Sequence, residues 1–294
     1  MEVFNYDWVV THKTIFHADD VFGVAMCRLI NPNIEIIRTL DVDEVLERAN
    51  NIGKKAIVFD IGMGKYDHHQ EDKAMRKAEF GKDPVPYCGF GLLWRDFGYL
   101  LCPERAAWEK VDSTLVLGID KADNGVQQNL LSATIKTMNP NWNETTSEDV
   151  AFHRAMNVAM ILLKAHVDHA NAAMAARDEV LANYFGGEIL VLDKYLPWAD
   201  TVIGDEHCKD VLFVVYPSQR GGWNVQTVPK QPGAFVNRMN FPDEWLGHAD
   251  PDRGIHFAHT ANFLIACDTK GQAVRVAEEA VQAGAEAYRV AYSV

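Results

Sequence analysis

Apolar and polar positions in the first sixty residues switch between the periods of strands and helices. The run Trp8 to Val10 is short and apolar. DDVFGVAMCRLI (19–30) then places Val21, Val24, Ala25 and Leu29 on one helical face. Asp19 or Asp20 stands where that helix needs a cap. IEIIRT (34–39) reads as a strand, DVDEVLERAN (41–50) as a helix, and AIVFDIG (56–62) as a buried strand with Asp60 near its end. This order predicts an α/β fold with a mostly parallel sheet flanked by helices. Ligands of such sheets gather beyond the carboxyl ends of the strands, where His12 and Asp60 fall.

Residues 89–123 carry a helical pattern in two parts, GFGLLWRDFGYLL and a second helix ending in GIDKADNG. A long helical stretch, 147–185, follows. The remainder changes character. EILVLD (188–193), VLFVVYP (211–217) and WNVQTVP (223–229) read as strands, GIHFAHTANFLIACD (254–268) as two strands around a turn, and 270–288 as an amphipathic closing helix. The expected organisation is a catalytic domain over 1–140, a helical connector over 141–185, and a smaller α+β C-terminal domain over 186–294.

The 294 residues, 48% of them hydrophobic, suffice for substantial cores. No apolar run approaches a membrane span and the opening MEVFNYDWVV has no basic n-region, so a soluble, unexported protein with no membrane partner is expected. Cys27, Cys88, Cys102, Cys208 and Cys267 are scattered and never form a C-x-x-C pair, which fits a reducing cytoplasm. The formal charge of -13 opposes non-specific binding of long nucleic acid, yet cations held by carboxylates would offset it locally.

The chemistry concentrates early. HKTIFHADD (12–20) offers imidazole and carboxylate donors from one loop, a mixture suited to divalent metals. Asp60, ending a buried strand, is costly to desolvate unless paired or metal-bound. In Asp67-His68-His69 the adjacent histidines diverge, so one can ligate metal while the other faces substrate. His166, Asp168 and His169 read as a solvated helix face.

The order HxxxxHxD, strand-terminal Asp, DHH, then a later Asp resembles the DHH phosphoesterase superfamily. Within it the chain is similar to the Myg-type ("melanocyte proliferating gene") metal-dependent protein hydrolases, whose THxGxFHADE and DHHQ correspond to THKTIFHADD (11–20) and DHHQ (67–70). The similarity continues through FGLLWRDFG (90–98), DKADNG (120–125), NPNWN (139–143), VVYP (214–217), WNVQ (223–226), FVNR (235–238) and FPDEW (241–245) to His259. The resemblance implies a DHH-type catalytic domain followed by a substrate-binding capping domain. One metal would be held by His12, His17 and Asp60, a second by Asp19, Asp60, His68 and Asp123, with Asp120 the alternative to Asp123. Asp60, Asp67 and His69 would act in catalysis, Asp67 by orienting a histidine and His69 by facing a phosphoryl oxygen. His69, Arg220, Trp223, Arg238 and His259 would bind substrate.

Mn²⁺ suits the mixed donor set better than Mg²⁺. The implied activity is a two-metal phosphodiesterase or exonuclease on short or single-stranded nucleic acid. Two alternatives stand beside it: a hydrolase of small phosphorylated molecules (dinucleotides, cyclic dinucleotides, pyrophosphate) and a non-catalytic, metal-binding regulatory protein. A homo-oligomer is compatible with each. The chain departs from the family pattern at Thr14 and Asp20, and HTANFLIA (259–266) lacks the glycines of the family's HxxGFIGG. Those glycines would let backbone approach an anion closely.

Overall fold

A computed structural model describes residues 3–77 and 83–292. The chain forms two compact units, Met1–Asn171 and Ala172–Val294, whose boundary falls inside a long helix.

In the first unit, β1 (Trp8–His12), β2 (Glu35–Thr39) and β3 (Ala56–Val58) form a parallel sheet in the order β2-β1-β3. Trp8 pairs with Glu35 on one side and Ala56 on the other, so the strands run in step and end together near His12, Thr39 and Asp60. The crossovers are α1 (Ala18–Ile30) and α2 (Val42–Asn51). Asp41 caps α2 by accepting the Glu44 N–H at 3.0 Å. Capping of α1 departs from expectation. His17 occupies the N-cap position, and Asp20, inside the first turn, accepts the His17 backbone N–H at 2.7 Å. This fixes the backbone of a histidine singled out above.

The one-faced reading of α1 also changes. Ala18 through Cys27 are all buried while Leu29 is only partly so. The helix lies between β1 and α3 (Gly89–Phe97), α5 (Leu117–Asp123) and α6 (Leu130–Lys136), and a helix covered on all sides has no polar face to show. Gly23 permits the tightest of these approaches, since a Cβ there would overlap the ring of Phe59, the residue before Asp60.

α4 (Arg105–Val111) runs through a π-helical turn, Asp112–Val116, into α5, so the second predicted helix exists but is widened midway. α6 has no counterpart in the sequence reading. α7 (Glu148–Ala182) is the long helix. No helix among the described residues is long and apolar enough to cross a membrane.

In the second unit, β4 (Ile189–Val191), α8 (Ala199–Gly204), β5 (Phe213–Pro217), β6 (Trp223–Thr227), β7 (Ile255–Ala258), β8 (Leu264–Cys267) and α9 (Lys270–Tyr292) follow in order. The sheet runs β4-β5-β6-β8-β7, with β4 parallel to β5 and the other pairs antiparallel. Phe213, Val215, Val225 and Ile265 pack with Val276 and Ala280 of α9. Leu190, Val214 and Tyr216 pack with Val180, Trp198 and Val202. The protein is therefore mixed α/β, with one parallel and one mixed sheet flanked by helices.

Candidate metal centre

The cluster is assembled by strand ends and helix starts. β1 delivers His12, the following loop His17, the first turn of α1 Asp19 and Asp20, and α5 contributes Asp123. Asp60 follows β3 with φ +57°, a left-handed conformation that non-glycine residues rarely hold and that here turns the chain straight after the strand. Its N–H is retained by the Tyr66 carbonyl at 3.1 Å.

Donor atoms of these residues converge. His12 Nε2 lies 3.0 Å from Asp20 Oδ1 and 3.3 Å from Asp60 Oδ2. His68 Nε2 lies 2.9 Å from Asp60 Oδ1, 3.2 Å from Asp123 Oδ2 and 3.7 Å from Asp19 Oδ2. Four sets, each with donors mutually within 4.8 Å, could hold an ion: His12, His17 and Asp20; His17, Asp19 and Asp123; Asp19, Asp20 and Asp60; Asp60, His68 and His69. Asp20, absent from the ligand set expected from sequence, belongs to two of them. Its signal was present in the chain, an acidic residue beside Asp19 at the N-terminus of a helix, but both roles look alike in sequence.

The donors are also under-used. Both carboxylate oxygens of the fully buried Asp19, and His68 Nδ1, have no hydrogen-bond partner. Unpartnered buried carboxylates carry a large desolvation cost, so this arrangement calls for positive charge. Burial drives the Asp19 carboxyl well above its ordinary range, and Asp60, Asp123 and Asp20 push it the same way. Burial also raises Asp123, against the opposing charge of His68. Asp60 behaves differently. Burial opposes its ionisation, but hydrogen bonds and charge from His12 and His68 hold it near 2. Burial likewise disfavours charged His12, yet Asp20 and Asp60 raise its pKa to about 10. The donor set, three buried carboxylates with imidazoles and Asp123, fits divalent cations.

Asp67 sits behind His69. It accepts the His69 backbone N–H at 3.1 Å, approaches His69 Nδ1 at 2.8 Å, and through its other oxygen accepts the Met63 N–H at 2.7 Å. His69 itself is exposed. Asp120 turns away from the cluster: it accepts the Cys88 N–H at 2.9 Å and pairs with Arg76. Of the two candidates on α5, only Asp123 joins the convergent donors.

The residues expected to bind substrate from the back half all lie in the second unit. Arg220 and His259 line a cavity of about 740 Å³ with Tyr195, Tyr216 and Phe263. His259 Nδ1 accepts the Ala261 N–H at 3.0 Å, and its ring lies 4.3 Å from that of Phe263. Trp223 is half-buried on β6 with Lys270 Nζ 5.6 Å from its ring. The Arg238 guanidinium is committed to main chain, donating to the carbonyls of Val202, Cys208, Lys209 and Val211.

A family model described as "Uncharacterised protein family (UPF0160)", MYG1_exonuc, matches residues 8–281. The chain belongs to this MYG1 family. Among its relatives are proteins named "MYG1 exonuclease" from Bos taurus and Homo sapiens, each 28% identical over 86% of this chain and covering 79% and 80% of their own lengths. A Dictyostelium discoideum "MYG1 protein" is 23% identical over 87% of this chain and 91% of its own. No solved structure matches. The MYG1 match begins at Trp8, so it spans β1 and every donor of the cluster.

Proposed function

We propose that this MYG1-family protein is a metal-dependent phosphodiesterase that cleaves short or single-stranded nucleic acid, with a DHH-type centre of two divalent cations, Mn²⁺ best matched. The observation that carries the reading is the convergence of Asp19, Asp20, Asp60, Asp123, His12, His17 and His68 with buried carboxylate oxygens lacking hydrogen-bond partners. The mammalian relatives' names support the substrate class. Five free, buried cysteines fit a reducing cytoplasm.

His12, His17 and Asp60 would hold one cation, and Asp19, Asp60, His68 and Asp123 the other, with Asp20 bracing His12. Bound there, the cations would lower the pKa of water and stabilise charge on the attacking and leaving oxygens. Asp60, within reach of both His12 and His68, would be the carboxylate serving both cations. Asp67 fixes the His69 ring, leaving its other nitrogen to donate to a phosphoryl oxygen. In the second unit Arg220 and His259 are the groups offered to the rest of the substrate; Arg238 serves the scaffold.

The test is Mn²⁺ titration together with cleavage of labelled single-stranded RNA and DNA. Asp60→Asn is expected to lose both tight metal binding and activity. Full activity in that variant would sink the two-metal assignment. The charge of -13 favours a second reading, hydrolysis of small phosphorylated molecules, so dinucleotides, cyclic dinucleotides and pyrophosphate belong in the panel. Turnover of these alone would select it. Metal binding without turnover of any substrate would select a regulatory protein.

A further inference from the structure

Two cavities meet at the metal cluster. One, of about 850 Å³, opens in front of it and includes Asp60, Asp67, His68 and His69 in its wall. The other, of about 760 Å³, runs along α6 past Ile119, Leu130, Ser132 and Ala133. His17, Asp123 and Lys136 line both. We propose that the α6 cavity binds one nucleoside unit of the substrate and that Lys136 holds the phosphate joining that unit to the front cavity. The proposal rests on the phosphodiesterase reading of the cluster.

Leu130, Ala133 and Lys136 recur at i, i+3 and i+6, so they share one face of α6. That face is graded. Leu130, 85% exposed, offers an apolar contact for a base, Ala133 leaves room beside it, and Lys136 brings a charge to the junction with the cluster. Ser132 lines the same cavity and its Oγ, buried, has no hydrogen-bond partner. Gln128 adds an amide to the same wall. The volume lies within the range of small-ligand sites and suits a nucleotide.

Lys136 is exposed and enters no ion pair among the described residues, although Asp123 lines the same two cavities. A lysine left free beside a phosphoester-cleaving cluster is suited to an anionic oxygen of the substrate. Its place at the junction is what assigns it to the linking phosphate rather than to the base. α6 therefore supplies three contacts of different chemistry from two turns of helix.

The experiment measures binding of adenosine 5′-monophosphate and of inorganic phosphate to the full chain loaded with Mn²⁺, alongside Mn²⁺-dependent cleavage of single-stranded RNA. The monophosphate is expected to bind at least tenfold more tightly than phosphate. Ala133→Trp fills the cavity from an exposed helix position and should weaken the monophosphate about tenfold while leaving phosphate affinity unchanged. Leu130→Glu should act in the same sense. Lys136→Ala should weaken both ligands, and Lys136→Arg should restore them. Monophosphate affinity unchanged within twofold in both Ala133→Trp and Leu130→Glu would overturn the subsite, whatever the cleavage assay gives. Absence of cleavage in the unaltered chain, with the binding pattern as expected, would instead fail the phosphodiesterase reading and leave a nucleotide site beside α6.

Discussion

Asp120 and Asp123 lie three residues apart on α5, and their surroundings give them different work. Asp120 is fully buried against Arg76, whose other edge reaches Asp112 at 2.6 and 3.0 Å, and a Cβ on Gly91 would overlap its carboxylate. Breaking a buried ion pair from one side typically costs about 3 kcal/mol or more. Asp120→Asn should therefore lower the urea midpoint while Mn²⁺ affinity stays near that of the unaltered chain. Asp123→Asn should show the reverse in the same two measurements. Asp96 supplies a pH dependence. Burial opposes its ionisation, but Arg95 at 2.7 Å and Lys65 at 2.9 Å hold its pKa below the ordinary value. Because the folded pKa lies below the unfolded one, near 3.9, the stabilisation is present above that value and disappears as pH falls through the folded pKa. Stability measured between roughly pH 4 and 2 should fall less steeply in Asp96→Asn.

At the scale of elements, the loop from β1 to α1 decides where His12 and His17 point, and it is held from two sides. Asn139, three residues past the end of α6, accepts the Phe16 N–H and donates to the Phe16 carbonyl, both at 2.9 Å. Arg38 of β2 donates to the Thr14 carbonyl at 2.7 Å and to Asp149 of α7 at 2.9 Å. Thr14, where the family pattern has glycine, carries φ +86°, so this chain keeps the left-handed turn without the residue that most easily adopts it. Asn139→Ala removes both clamps on Phe16. A loss of about 1–3 kcal/mol is expected from the two unmet backbone groups, together with weaker Mn²⁺ binding, since His17 is the next residue. Unchanged metal affinity in this variant would show that α1 alone positions His17.

For the molecule as a whole, bound metal should stabilise one compact unit selectively. Every donor of the cluster lies in Met1–Asn171. A ligand at a hundred times its dissociation constant adds about 2.7 kcal/mol to the unit that binds it. Calorimetry with and without a chelator should therefore move the melting of the first unit by several degrees and leave that of the second in place. A uniform shift of the whole profile would mean that the two units unfold together.

The sequence by itself determined the elements, because their periods are local: the apolar runs at Trp8, Ile34 and Ala56 became the three strands in step, and 148–182 the long helix. It also marked the donors, since HKTIFHADD, Asp60 and DHH crowd imidazole and carboxylate groups into seventy residues. Only tertiary structure decided the rest. That Asp123 rather than Asp120 meets the convergent donors depends on Arg76, the commitment of Arg238 on carbonyls spread from Val202 to Val211, and the contact of Asp20 with His12 on where His12 ends its strand. α6 went unread because Ile135 is its one buried residue, too weak a stripe to mark a helix, yet the fold sets Lys136 in the wall of the cluster. Each of these turns on a partner distant in the chain. A residue's type limits what it can bind, but the groups packed around it decide what it does bind.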